Sequence, residues 1–123
     1  MRVLLVDDSG TARRILKSIL PKPLLLDLVE ARGGEEAIAI CRAQKIDLMF
    51  LDLTMPEIDG FGVLSALNDL VAELPIIVVS ADIQPQAQER VKSLGARAFI
   101  KKMPSNAALT QTLADIGITY DAP

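Results

Sequence analysis

Leu48-Met49-Phe50-Leu51-Asp52-Leu53-Thr54-Met55-Pro56 is the stretch on which the fold turns. Four apolar residues run without a polar break and stop at an acid. A strand with one wet face would alternate apolar and polar side chains. An unbroken apolar run suits a strand covered on both faces, as in a parallel sheet. The turn chemistry after it, with Pro56 and then Asp59-Gly60, leads into a helix carrying Leu64, Leu67 and Val71 on one face.

Working outward, the same unit recurs. Ile76-Ile77-Val78-Val79 reads as a fully buried strand ending at Ser80. Val3-Leu4-Leu5-Val6 reads as a first strand ending at Asp7-Asp8. Leu24 to Val29 is a second strand candidate, interrupted by Asp27, and Ala96 to Ile100 is a fifth, ending near Lys101-Lys102. Between the strands the period changes to that of helices. Ala12, Ile15, Leu16, Ile19 and Leu20 form one stripe, stopped by Pro21 and Pro23. Gly33-Gly34 opens a helix with Ala37, Ile40 and Cys41. A further helix holds Ala87, Val91 and Leu94 before Gly95. The last holds Leu109, Leu113 and Ile116 before Gly117.

Five strand-helix units in strict alternation predict an α/β domain, a parallel sheet with helices on both faces. Right-handed crossovers put every strand's carboxyl end at the same rim, where such sheets carry their sites. Asp7, Asp8, Asp52, Ser80 and Lys102 all fall at that rim. Three carboxylates there repel one another unless a cation joins them. Oxygen donors without imidazole or thiolate suit Mg²⁺ or Mn²⁺. A carboxylate can also act as a nucleophile toward a phosphoryl group. A lysine ammonium and a hydroxyl are the partners that the transferred group's oxygens need.

Composition narrows the field. The 123 residues, half hydrophobic and 24% charged, are expected to form one domain over 1–123. The chain has no histidine, which removes Ser-His-Asp and Cys-His catalysis and His-based zinc sites. Cys41 is the only cysteine, so no internal disulfide can form. A net charge of −3 gives no reason to expect nucleic acid or an anionic membrane as a direct partner. No apolar run reaches the ~18 residues of a spanning helix, and the N-terminus is too short for a signal peptide, so a cytoplasmic location is expected.

Together, Leu4-Leu5-Val6-Asp7-Asp8, Leu51-Asp52-Leu53-Thr54-Met55-Pro56 with Asp59-Gly60, Val78-Val79-Ser80-Ala81 and Gly95-Ala96-Arg97-Ala98-Phe99-Ile100-Lys101-Lys102 carry a resemblance. Across essentially its whole length the chain resembles the response-regulator receiver domains of stand-alone, CheY-like type. The resemblance implies a flavodoxin-like sheet of order 2-1-3-4-5. It implies that Asp52 accepts a phosphoryl group from a partner histidine kinase. Asp8 and Asp52 would hold Mg²⁺ with the backbone carbonyl of Thr54, and Asp7 would act mostly through water. Ser80 and Lys102 would meet the phosphoryl group, and Phe99 would be an aromatic switch. Output would pass to a downstream protein through the fourth helix, fifth strand and fifth helix. Such a chain is a switch rather than an enzyme, catalysing only transfer to its own Asp and hydrolysis from it. Thr54 and Asp82 would flank the attack path.

One departure bears on the site. The family usually follows its lysine with proline, often in a cis bond. Here Met103 intervenes before Pro104. Either a cis bond sits at Lys102–Met103 without the proline, or the turn shifts so that Met103-Pro104 makes it. Lys102 is preferred over Lys101 because it lies seven residues after Gly95. Each residue alone has a plainer reading: Asp7-Asp8 as a helix cap, Ser80 as a strand-end donor, Lys101-Lys102 as a solvated pair, Phe99 as core. Three rival functions stay in view. A haloacid-dehalogenase-type phosphatase wants a second acid where Thr54 stands. A flavin-binding protein would need a hydroxyl- and glycine-rich phosphate loop after the first strand, where Asp7-Asp8 would repel the flavin phosphate. A receiver-like scaffold would forgo phosphorylation. The chain carries no effector segment, so it acts by binding alone or is a receiver cut from a larger regulator or hybrid kinase.

Overall fold

The computed structural model describes residues 1–120. Five strands, β1 (Val3–Val6), β2 (Leu28–Ala31), β3 (Leu48–Leu51), β4 (Ile76–Ser80) and β5 (Ala98–Lys101), form one sheet in the order β2-β1-β3-β4-β5. Every pairing is parallel, with Val6 opposite Leu51, Leu51 opposite Val78 and Ser80 opposite Lys101. The sheet order implied by the resemblance is therefore the observed one.

Strand alternation divides the core. Leu4, Val6, Met49, Leu51, Ile76 and Val78 face one side, with side chains of α2 (Gly34–Ala43), α3 (Gly60–Ala66) and α4 (Pro85–Ser93). Val3, Leu5, Leu48, Phe50, Ile77 and Val79 face the other, against Leu16 of α1 (Gly10–Ile19) and Leu109 and Leu113 of α5 (Asn106–Asp115). The three inner strands are buried at every residue, whereas the edge strands β2 and β5 are not. This is why the inner strands read as unbroken apolar runs and the edges do not. Ser9, Asp59 and Ser105 cap α1, α3 and α5 by accepting hydrogen bonds from the amides of Ala12, Gly62 and Ala108.

Three boundaries differ from the sequence reading. Lys22–Leu25 is a 3₁₀ turn, and the second strand begins only at Leu28. Pro23 near the turn's start presets a helical φ, and Leu24 is apolar because it is wholly buried there. The third helix stops at Ala66 instead of reaching Val71. The Ala66 carbonyl accepts from Arg42 Nη2 at 2.9 Å, and Leu70 N–H turns to Leu67 instead. The fifth strand starts at Ala98 rather than Ala96. The α1 stripe holds at Leu16 and Leu20, but Ile15 is exposed at its edge.

Candidate functional site

Parallel strands deliver their chain ends to one rim, and the polar side chains gather there. Asp7 follows β1, and its N–H donates to the Ala31 carbonyl at 3.2 Å. Asp52 follows β3, its N–H on the Val6 carbonyl at 2.9 Å. Asp7, Asp8 and Asp52 each present a carboxylate oxygen within 4.8 Å of the other two. Lys102 Nζ stands 2.6 Å from Asp7 Oδ2 and 3.6 Å from Asp52 Oδ1. Lys101 is exposed and makes no such contact. The Lys102–Met103 peptide is cis, so the loop takes the first of the two readings left open above.

Burial sets the electrostatics. Asp52 is 5% exposed and Asp8 is open to solvent. Desolvation pushes the Asp52 pKa up, and the neighbouring Asp7 charge pushes it further. Lys102 and the backbone N–H groups of Thr54 and Leu53 pull the other way without cancelling the rise. Burial works against the Lys102 ammonium, yet Asp7 and Asp52 outweigh it and raise its pKa. One cation is thus shared between Asp7 and Asp52, two of the three acids, and its short bond goes to Asp7.

The remaining predicted residues lie around this cluster. Ser80 is fully buried at the end of β4, and its Oγ accepts from the Asp82 N–H at 3.1 Å. Its carbonyl accepts from the Lys102 N–H at 2.9 Å, which ties the two strand ends together. Thr54 is exposed two residues beyond Asp52. Phe99 sits apart from the acids, opposite Val78 in β5, half-buried against the core beneath α2, α3 and α4.

Two contributors escaped the sequence reading. Gly60 looked like an ordinary helix start, but a Cβ there would lie 2.5 Å from the Asp52 carbonyl oxygen and 2.7 Å from Leu53 Cδ2. The loop after Asp52 closes on itself tightly enough that only glycine fits. Arg13, on α1, is the second. Its Nη1 donates to the Asp7 carbonyl at 2.6 Å and its Nε to Glu30 Oε1 at 2.9 Å. A position one helical turn after the Ser9 cap was the available signal.

The donor set fits a hard divalent cation. Three carboxylates converge, one of them disfavoured as an anion, with only one ammonium among them and no imidazole or thiolate.

The family model described as the response regulator receiver domain matches residues 3–114. The chain is 35% identical over 101 residues to the chemotaxis protein CheY of Bacillus subtilis, covering 82% of this chain and 84% of that protein. It is 32% identical over 123 residues to the sensory/regulatory protein RpfC of Xanthomonas campestris, covering 97% of this chain and 17% of that one. The chain spans about a third or less of the length of several such curated relatives. Among solved structures it resembles a CheX-CheY-BeF₃-Mg²⁺ complex from Borrelia burgdorferi, with a TM-score of 0.86 and 29% identity. That match covers 97% of this chain and 90% of that one.

Proposed function

Because the chain belongs to the response regulator receiver domain family, we propose that it takes a phosphoryl group onto Asp52 and changes its affinity for a protein partner in response. The observation that carries this is the buried Asp52 carboxylate, with Asp7 and Asp8 within 4.8 Å of it and Lys102 Nζ at 3.6 Å. The donor is a phosphohistidine on a partner kinase. Its P–N bond breaks, the imidazole leaves with the electron pair, and an Asp52 carboxylate oxygen forms the new bond to phosphorus. Asp8 and Asp52, with the Thr54 carbonyl, would hold Mg²⁺, with Asp7 acting mostly through water. When bound, the ion supplies positive charge against the phosphoryl oxygens.

The chain's own residues do the rest. Lys102 neutralises part of the developing charge. Ser80 Oγ already accepts from the Asp82 amide, so its own proton is free to donate toward the phosphoryl group. The added charge, about −1.5 to −2, draws Ser80 and Lys102 inward. Phe99 then repacks and the surface of α4, β5 and α5 changes, a population shift between two states. On this reading the chain is a switch and not an enzyme acting on other molecules. Thr54 stands where a dehalogenase-type phosphatase needs its second acid, which speaks against that rival. Among the described residues no helix is long and apolar enough to cross a membrane, and a cytoplasmic site of action goes with this function.

Beryllofluoride mimics a phosphoryl group on a carboxylate. With Mg²⁺ it is expected to bind wild type and not Asp52→Ala, read by fluorine NMR. Equal binding by both proteins rejects Asp52 as the acceptor.

A further inference from the structure

Arg13 is the second cation near the acids, and it touches backbone rather than carboxylate. Its side chain is only 13% exposed. Nη1 donates to the Asp7 carbonyl and Nε to Glu30 Oε1, while Lys17 Nζ holds the other Glu30 oxygen at 3.0 Å. Burial works to raise the Glu30 pKa, but Lys17 and Arg13 overcome it and lower it, so the anchor is ionised at neutral pH. Glu30 sits on β2 opposite Leu5 of β1. The guanidinium therefore spans from the β1–α1 loop to the neighbouring strand. Every other polar atom of Asp7 is also engaged: its N–H with Ala31, Oδ1 with the Ser9 N–H at 2.9 Å, and Oδ2 with Lys102.

We propose that Arg13 is a positioning residue: by pinning the Asp7 carbonyl to Glu30 it fixes the backbone from which Asp7 and Asp8 present their carboxylates to a divalent cation. The inference rests on the metal-binding reading above. A guanidinium reaches both partners at once through its planar fork, which a lysine ammonium cannot reproduce. Arg13 makes no contact with a carboxylate of the acid cluster, so it acts through Asp7 and not on the ion.

The sign of the effect separates positioning from simple charge. Deleting a cation near three acids should tighten Mg²⁺ binding by Coulomb's law alone. Loss of positioning should weaken it, by about tenfold for a residue that orients metal ligands. The experiment measures Mg²⁺ affinity by calorimetric titration of wild type, Arg13→Ala, Arg13→Lys and Arg42→Ala, with metal-free melting curves for each. Arg42 clamps Asp69 and Ala66, away from the acids, and serves as a control for lost ion pairing. The expected result is about tenfold weaker binding in both Arg13 variants and none in the control. Arg13→Lys carries the test if Arg13→Ala fails to fold. Tighter or unchanged binding in the Arg13 variants, or equal weakening in the Arg42 control, overturns the inference alone. A wild-type chain that binds no Mg²⁺ overturns the metal reading and this inference with it.

Discussion

Asp52 is asked both to be buried and to be an anion, and the two demands oppose each other. Burial and the Asp7 charge raise its pKa in the folded chain above the ordinary carboxylate value. The folded state then holds this proton more tightly than the unfolded state does. The resulting stabilisation is complete below the unfolded pKa and is lost as pH rises through the folded value. At neutral pH the ionised Asp52 is therefore a standing penalty. Asp52→Asn keeps the shape and drops the charge, so in metal-free buffer it should raise the melting temperature at neutral pH. That gain should disappear in strong acid, below the carboxylate range. A variant less stable than wild type at neutral pH would contradict the electrostatic picture of the site. Ser80, Lys102 and the acids were readable as types at strand ends. Arg13 was not, because its task depends on a backbone carbonyl and on Glu30 in a different strand, and no spacing along the chain reveals such a pair.

Elements whose shape is set by burial were the legible ones. The buried strands β1, β3 and β4 show as apolar runs because both faces are covered. Their ends mark the rim correctly. Boundaries set by tertiary hydrogen bonds were not legible. The end of α3 depends on Arg42 reaching the Ala66 carbonyl, and the start of β2 depends on a proline-led turn whose Leu24 fills the core. Gly60 belongs with these. Its need for glycine comes from the loop folding back on the Asp52 carbonyl, a contact no local pattern announces. Gly60→Ala should therefore lower stability by about 1–3 kcal/mol, the range for forcing extra atoms into a packed site. Urea denaturation checks this. A loss within error of zero would mean that the loop has room to move, and that the seat of Asp52 is softer than described.

At the scale of the whole molecule, a mildly acidic chain gathers three carboxylates at one end of its sheet. The layers on both faces are apolar and carry the stability, while the acids, Ser80 and Lys102 stand where five strand ends meet. The same layers leave α4 and β5 packed less deeply than the central strands. If the acids exist to hold a cation, Asp8→Ala should weaken Mg²⁺ binding far more than Ser80→Ala, as titration of the two variants would show. The reverse ranking would remove Asp8 from the metal site. The most direct test of the whole account is chemical. The chain is incubated with a small phosphoryl donor such as phosphoramidate, with and without Mg²⁺, and the acyl phosphate is trapped by borohydride reduction and mapped by peptide mass. The account predicts a single phosphoryl group, dependent on Mg²⁺ and located at Asp52. No modification, or modification that settles on another residue, would contradict it.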